Sequence, residues 1–234
     1  DVYIKKERMR HHHHHHHHHV ILELCCGWKS VSVVFKEDYG WDAVTLDLLP
    51  RFKPTILADI TTWDYRSYFQ THPAPDVIWA SPPCRTFTVA AWGKNRTANG
   101  EALTEASEQG DACVRACLDC IEYCRAHVNP NVIFFVENPG YGAFRKLPCV
   151  VPYIQSGQSR MLQYGDYAPD THSLKPTIVL TNCTSWHPLP MRLTKSVVHW
   201  NRLSKKRRTV IPRAVCEEVA AVAVAASVHA VIVQ

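Results

Sequence analysis

Four short segments of the chain carry side chains that could do chemistry together. Cys84 ends the run Ser-Pro-Pro-Cys, Glu137 begins the run Glu-Asn-Pro, and Asp47 and Asp59 each follow a short apolar run. Taken singly each is weak, because a turn cysteine is usually structural and a strand-end carboxylate often caps the next helix. Together, a thiol beside a carboxylate suits nucleophilic catalysis with a positioned acid. The two aspartates are suited to accept hydrogen bonds from a ribose or an adenine amine.

The elements predicted around these residues define an α/β fold. Short apolar runs alternate with helical stretches, and six runs are predicted as strands: 20–24, 43–46, 55–58, 77–80, 132–136 and 177–181. Runs that are apolar on both faces and separated by helices indicate a parallel sheet covered on both sides. The predicted class is therefore α/β, with a mostly parallel, doubly wound sheet. Ligands bind at the carboxyl ends of the strands in such sheets, where the four segments lie.

Two longer helices are predicted, at 103–127 and from Arg213 to the last residue. The first contains four cysteines, Cys113, Cys117, Cys120 and Cys124. Eleven residues of helix span roughly 16 Å, which is too long for all four to bind one metal ion. We expect these thiols to form a stripe that faces the core. A redox pair of Cys117 and Cys120 is the alternative.

Length and composition favour a single globular domain. The 234 residues are 46% hydrophobic and 20% charged, which excludes disorder, collagen and coiled coil. No apolar run approaches the roughly 20 residues of a membrane span, and no signal peptide is expected. The ten cysteines are expected to be free, buried thiols in an intracellular, reducing compartment with access to DNA. Residues 1–19, with nine consecutive histidines, are interpreted as a tag-like tail or a natural repeat.

A basic block lies near the end of the chain. Residues 192–213 contain eight Lys or Arg residues and no acid. Such a block is typical of a polyanion-binding face, and a solvated loop is an equal alternative. Four of its members, Lys205, Lys206, Arg207 and Arg208, are consecutive. Trp186 and Trp200 are candidates for stacking on a base.

In their order along the chain, these segments resemble the motifs of the DNA (cytosine-5) methyltransferases. ILELCCGWKSVSVVF is similar to the motif that holds S-adenosylmethionine, and LDLLPRFKPTILADI to the acidic strand ends that contact its ribose and adenine. DVIWASPPCRTFT resembles the catalytic Pro-Cys motif and FFVENPGYGAFRK the Glu-Asn motif, about fifty residues later. LKPTIVLTN and IPRAVCEEV resemble the segments that close the sheet and complete the cofactor pocket.

The resemblance implies a Rossmann-like methyltransferase that uses S-adenosylmethionine. Cys84 would attack C6 of a cytosine in DNA, and Glu137 would bind the N3 edge of the base, which must leave the duplex to reach the site. Pro83 would shape the catalytic loop, Asn138 would help hold it, and Arg85 could contact a phosphate. The cofactor-binding residues implied by the motifs are Glu23, Leu24, Cys26, Gly27, Ser30, Asp47, Leu48, Asp59 and Ile60.

The chain also departs from the family pattern. Trp28-Lys29-Ser30 stands where further glycine is usual. The Gln-x-Arg-x-Arg motif is incomplete, since Gln158-Ser159-Arg160 supplies only its first half; Arg160 is kept as a candidate catalytic residue, and Gln163-Tyr164-Gly165 is an alternative. A short segment, 183–213, occupies the place of a target-recognition domain. A compact member is therefore expected, with 20–234 as one catalytic domain and with short or relaxed recognition or a protein partner.

Two other functions remain open at this stage. The same chemistry could act on cytosine in RNA, or a degenerate homologue could bind DNA and regulate a partner without catalysis. The presence of Cys84, Glu137 and both aspartates favours an active enzyme. Methylation of the exocyclic N4 amine is disfavoured, because that reaction needs no thiol. No metal ion is expected.

Overall fold

The computed structural model describes residues 18–232. Of the tag-like tail, only His18 and His19 are within this range; the rest lies outside the described residues. The ring of His19 stacks on Trp41, with ring centroids 4.9 Å apart. The last histidine of the tract is therefore packed against the fold.

A seven-stranded sheet forms the centre of the molecule. Its strands are β1 (Val20–Leu24), β2 (Asp42–Asp47), β3 (Ile56–Leu57), β4 (Val77–Ala80), β5 (Ile133–Pro139), β6 (Ser159–Gln163) and β7 (Pro176–Thr181). Their order is β3-β2-β1-β4-β5-β7-β6, and β7 pairs antiparallel with both of its neighbours. The predicted α/β class with a mostly parallel, doubly wound sheet is confirmed. The six predicted strands are all present, and β6 was missed.

Helices cover both faces of this sheet. They are α1 (Ser30–Tyr39), α2 (Tyr65–Thr71), α3 (Glu105–His127), α4 (Val151–Gln155), α5 (Tyr164–Tyr167), α6 (Lys205–Thr209) and α7 (Arg213–Ile232). One core layer lies between the sheet and α3, with α2 and α4 at its margin. The other lies between the sheet and the pair α1 and α7. Both predicted long helices are present.

The start and the buried face of α3 follow from its sequence. Thr104 and Ser107 form a reciprocal capping box at its first turn, and acidic residues there complement the helix dipole. Its four cysteines are buried in the core layer, so the predicted stripe is confirmed. All ten cysteines of the chain are free thiols. In the described part of the chain, no group of side chains could hold a metal ion, and no helix is long and apolar enough to cross a membrane.

The segment 183–213 packs along the outer strands as an extended chain with one short helix, α6. Trp186 is fully buried, meets Phe135 edge to face and donates its indole N–H to Glu218 at 2.8 Å. The suggestion that Trp186 stacks on a base is therefore wrong, because its ring faces are used inside the core. Trp200 is exposed, and the guanidinium of Arg208 lies 5.3 Å from its ring centroid.

Candidate active site

The turn after β1 lies where the strand order reverses, between β1 and β4. Three residues of this turn have left-handed backbones, with φ of 52° at Cys25, 47° at Gly27 and 60° at Lys29. Nothing lies within 4 Å of the position that a Cβ on Gly27 would take. The backbone of the turn is therefore open to a ligand, at the place where doubly wound sheets bind their ligands.

Asp47 and Asp59 lie at the same edge of the sheet. Asp47 accepts the N–H of Gly27 and the N–H of Leu49, both at 2.9 Å, and so ties the end of β2 to the turn after β1. Asp59 accepts from the N–H and the hydroxyl of Thr61 through one oxygen, Oδ1. Leu48, between the two acidic segments, exposes 60% of its surface.

The chemistry of these residues is compatible with S-adenosylmethionine. An open turn, two carboxylates and an exposed leucine can receive a ribose, an amine and the face of an adenine. The other residues assigned to the cofactor divide by burial. Leu24, Cys26 and Ile60 are buried and form the floor of the region, while Ser30 is half-buried at the start of α1. Burial raises the pKa of the Cys26 thiol to about 12, which leaves it protonated.

Glu23 is buried in β1 and serves as a cap for α1. Its Oε2 accepts the N–H of Ser32 at 2.8 Å, and the N-cap residue Lys29 makes no side-chain cap of its own. Burial raises the pKa of Glu23 from 4.5 to about 7, although the hydrogen bonds from Ser32 oppose this shift. The carboxyl group therefore retains its proton in the folded chain at a pH where the unfolded chain has lost it.

We expect Glu23→Gln to flatten the pH dependence of stability between about pH 4.5 and pH 7. In this window the native state binds more protons than the unfolded state, so stability falls as pH rises, by up to about 3 kcal/mol for this one group. Glutamine keeps an acceptor for Ser32 but does not titrate. Urea unfolding at pH 5 and pH 8 measures the effect. Glu105→Gln, at an exposed site in α3, should retain the wild-type slope, and an unchanged slope in Glu23→Gln would contradict the assignment.

Cys84 lies on the loop that follows β4. The loop begins at Ser81, whose N–H donates to the carbonyl of Leu24 and whose hydroxyl accepts from the indole of Trp79. Pro83 and Arg85, on either side of Cys84, are exposed, and Cys84 itself is half-exposed. The thiol is therefore presented at the carboxyl edge of the sheet.

Two hydrogen bonds join this loop to the end of β5 and the turn that follows it. The Asn138 amide donates to the Pro82 carbonyl at 3.1 Å, and the Ala143 N–H donates to the Phe87 carbonyl at 2.9 Å. Gly142, with φ of 125°, lies so close that a Cβ there would overlap the Phe87 carbonyl oxygen. Asn138 thus joins the end of β5 to the Cys84 loop.

Glu137 lies next to Cys84 because β4 and β5 are neighbours, with Ala80 paired to Val136. The hydroxyl of Tyr164 donates to Glu137 Oε2 at 3.3 Å. Tyr164 belongs to the Gln-Tyr-Gly run noted as an alternative in the sequence. Burial, and secondarily the charge of Glu137, raise the pKa of Tyr164 well above its usual range, so its hydroxyl remains a donor.

The electrostatics of Cys84 reflect burial and two charges. Burial raises the pKa of its thiol, and Glu137 raises it further, while Lys175 lowers it. The sequence analysis did not select Lys175. Its Nζ lies 4.9 Å from the centroid of the Tyr164 ring. The sequence signal that could have identified Lys175 is a basic residue directly before a strand, here β7, whose first residues lie at the edge of the sheet that carries Glu137.

Arg96 is a second residue that the sequence analysis missed. It is fully buried beneath the Cys84 loop and donates to the carbonyls of Thr86, Gly100 and Ser107. It also donates to the Thr86 hydroxyl and forms an ion pair of 2.6 Å with Asp111 of α3. Its guanidinium carbon lies 4.2 Å from the centroid of the Phe87 ring. Arg96 therefore fastens the catalytic loop to α3.

The hydrogen bonds of Arg160 do not link it to Cys84 or Glu137. Its guanidinium donates to the backbone carbonyls of Gly157, Ser159 and Trp186. These contacts secure the start of β6 and the segment 183–213. The predicted role of Arg160 in catalysis finds no support in these contacts.

The basic helix α6 lies beside the turn after β1. Lys206 Nζ lies 4.6 Å from the centroid of the exposed Trp28 ring. Lys205 and Arg207 are exposed, whereas Arg208 is half-buried and donates from Nε to the Leu203 carbonyl. Three of the four assigned basic residues thus face solvent near the site.

The fold and the site together describe an α/β chain with a thiol and a carboxylate beside an open turn and two strand-end aspartates. No family model matches the chain. A curated relative, the probable DNA (cytosine-5)-methyltransferase of Frog virus 3 (isolate Goorha), is 30% identical over 129 residues, which cover 54% of this chain and 56% of that protein. The match thus spans little more than half the length of that relative. It confirms the resemblance that the motifs indicated.

Two solved structures are similar in part. One is a putative DNA modification methyltransferase encoded within a prophage of E. coli, with a TM-score of 0.43 and 12% identity over 70% of this chain and 46% of that one. The other is the glycopeptide N-methyltransferase MtfA complexed with sinefungin, with a TM-score of 0.36 and 13% identity over 70% of this chain and 79% of that one. Both similarities are weak, and the fold assignment rests on the sheet topology described above.

Proposed function

We propose that this chain is an enzyme that transfers a methyl group from S-adenosylmethionine to C5 of cytosine in DNA. The observation that carries the proposal is the placement of Cys84 and Glu137 at the ends of adjacent strands, beside the open turn after β1. The curated relative is named for the same reaction. Free thiols throughout the chain are in keeping with the proposed reducing, intracellular location.

The chain's own residues would perform three tasks in this reaction. Cys84, as thiolate, forms a bond from Sγ to C6 of the base, and C5 becomes nucleophilic. Glu137 holds the N3 edge and favours its protonation as the adduct forms, with Tyr164 keeping the carboxylate in place. Asn138 and Arg96 hold the loop so that the thiol stays at the edge of the sheet. Bound S-adenosylmethionine would supply the electrophilic methyl group.

The reaction closes by elimination. Once C5 carries the methyl group, its proton leaves to solvent, the electron pair re-forms the double bond between C5 and C6, the bond from C6 to Sγ breaks, and N3 gives up the proton that it gained when the adduct formed. Cys84 is released as thiolate for the next turnover. A target base inside a duplex cannot reach Cys84, so the base must be extruded first.

The test is mass spectrometry of nucleosides from unmethylated DNA incubated with the protein and S-adenosylmethionine. 5-Methylcytosine is the expected product. N4-methylcytosine would overturn the roles given to Cys84 and Glu137. If DNA yields no product while the cofactor binds by calorimetry, the chain alone does not methylate DNA. The same assay on RNA and the addition of a cell extract then separate an RNA substrate from a missing partner.

We expect the exposed cations of α6 to contribute to DNA affinity through phosphate contacts. Replacing Lys205 and Arg207 by Gln should weaken binding and make the dependence of log K on log salt shallower by up to about 2. Fluorescence anisotropy with one duplex at several salt concentrations measures this slope. The matched control, Lys36→Gln with Arg125→Gln, removes two charges near the opposite edge of the sheet. If both double variants change the slope of log K against log salt equally, the basic residues of α6 are solvated and do not bind phosphate.

Target recognition is proposed to be short or relaxed, or to depend on a partner. The segment 183–213 contains one five-residue α-helix, α6, and otherwise short or irregular backbone, which offers little regular surface for reading several base pairs. Methylome sequencing after expression in a methylation-free host tests this. A long, unique target sequence without any partner would refute it.

A further inference from the structure

Lys175 lies at the edge of the site and has no task in the reaction as described above. It directly precedes β7, which runs opposite to β5, so that the start of β7 lies beside the end of β5. Its backbone is left-handed, with φ of 40°. Residues other than glycine rarely adopt this backbone conformation, so the contacts around Lys175 must hold it there.

Two contacts hold the ammonium group of Lys175. Its Nζ donates to the backbone carbonyl of Arg208 at 3.3 Å and lies 4.9 Å from the centroid of the Tyr164 ring. The Tyr164 hydroxyl donates to Glu137 at 3.3 Å. The ammonium, the phenol and the carboxylate therefore form a continuous row at the site.

The row lies at the end of β5, beside the strand that leads into the Cys84 loop, so that one cation and one anion share the surroundings of the thiol. The charge of Lys175 favours ionisation of Cys84, whereas burial and the charge of Glu137 oppose it. A thiol must lose its proton to become the nucleophile, because the thiolate is the reactive form. Without the cation, burial and the carboxylate would both work against catalysis.

We propose that Lys175 is a positioning residue whose ammonium group stabilises the thiolate of Cys84, and that the Arg208 carbonyl holds the ammonium in place. The inference deepens the proposed function and rests on it for the use of the thiolate. Arg208 belongs to the basic block, residues 192–213. Lys175 would therefore both attach this block and support the nucleophile. We therefore assign to Lys175 a role in activation of the nucleophile that the motifs did not indicate.

The other titratable neighbours leave a clear window for measurement. Burial lowers the pKa of His172, which binds the Val210 carbonyl. Burial and Glu137 raise that of Tyr164. Both groups are therefore neutral between about pH 7 and pH 10. A change in the Cys84 profile in this window reports on Cys84 and Lys175.

The test is the pH profile of alkylation of Cys84 by iodoacetamide in the full chain, read by peptide mass spectrometry. The reaction forms a bond from Sγ to carbon and releases iodide, while the thiol proton leaves to solvent. We expect Lys175→Gln, which keeps a donor for Arg208, to shift the profile to higher pH, seen between about pH 7 and pH 9 as a several-fold slower alkylation of Cys84. Lys175→Arg, which keeps the charge, should stay close to the wild-type profile. Alkylation of Cys149 in the same digest serves as the internal reference.

The outcomes separate this inference from the proposed function. Equal profiles in the wild type, Lys175→Gln and Lys175→Arg would overturn it, and so would an equal shift in both variants, which would indicate a purely structural role. If Lys175→Gln does not fold, Lys175→Met gives the same comparison of charge against Lys175→Arg. The assay needs neither DNA nor cofactor. A chain that makes no 5-methylcytosine but shows the expected shift would disprove the proposed reaction and leave the electrostatic role standing.

Discussion

Cys84→Ser is expected to abolish methyl transfer while leaving the fold and cofactor binding intact. A serine hydroxyl has almost no ionised fraction at neutral pH, so the covalent step loses its nucleophile. Removal of a nucleophile elsewhere costs on the order of 10⁶ in rate, and we expect a loss of at least about 10⁴-fold here. Transfer of labelled methyl groups to unmethylated DNA measures activity, and calorimetry with S-adenosylmethionine measures binding.

Cys149→Ser is the matched control. Cys149 is also a half-buried free thiol, but it lies just before α4 and not on the loop that follows β4. Its replacement should leave the rate within a factor of a few. Turnover that survives in Cys84→Ser would rule out covalent catalysis by this thiol. Loss of cofactor binding together with activity would instead assign Cys84 a structural role.

Arg96→Met is expected to give the largest loss of stability of any single change near the site. The substitution leaves Asp111 without its buried partner and removes the donors for three backbone carbonyls. Breaking a buried ion pair on one side costs about 3–5 kcal/mol, because the remaining charge is left uncompensated. Urea unfolding followed by circular dichroism measures the free energy of unfolding.

Arg125→Met, in α3, provides the comparison. Arg125 also pairs with an acid, Glu122, and lies 5.4 Å from an aromatic ring centroid, but it is partly exposed. Its replacement should cost no more than about 1 kcal/mol, as is usual for surface pairs. Similar losses in both variants would show that the contacts of Arg96 are not what holds the loop. A folded but inactive Arg96→Met chain would place its main effect on the position of Cys84.

Much of the fold could be predicted because burial on both faces leaves a strong signal in the sequence. The central strands β1 and β4 were predicted at their observed bounds, since they are short apolar runs between turn residues, interrupted only by Glu23 in β1. β6 was missed because its Ser-Arg-Met-Leu-Gln sequence is polar for most of its length at the sheet edge. The reversed direction of β7 could not be read either, because an apolar run does not reveal its direction.

The site was predictable in part for a related reason. Residues at the ends of parallel strands must meet at one edge, so Cys84, Glu137 and Asp47 could be grouped from the sequence. Lys175 reaches the same edge only because β7 is reversed. Arg96 lies in a loop whose sequence gives no sign of burial, and its role depends on carbonyls brought together by folding. The burial of Trp186 could not be predicted either, because it depends on Glu218, distant in sequence, which accepts the indole N–H.

The segment 183–213 is attached to the body of the molecule mainly through its own main chain. Its backbone carbonyls accept hydrogen bonds from three side chains: residue 208 from Lys175, residue 210 from His172 and residue 193 from Gln163. Its N–H groups at residues 192 and 193 donate to Asp166. Main-chain groups are the same whatever side chain a residue carries. Most outward-facing positions of the segment can therefore change in evolution, or in a mutant library, without loosening it. Selection for a new binding preference could act on this surface while the chemistry beneath it stays fixed.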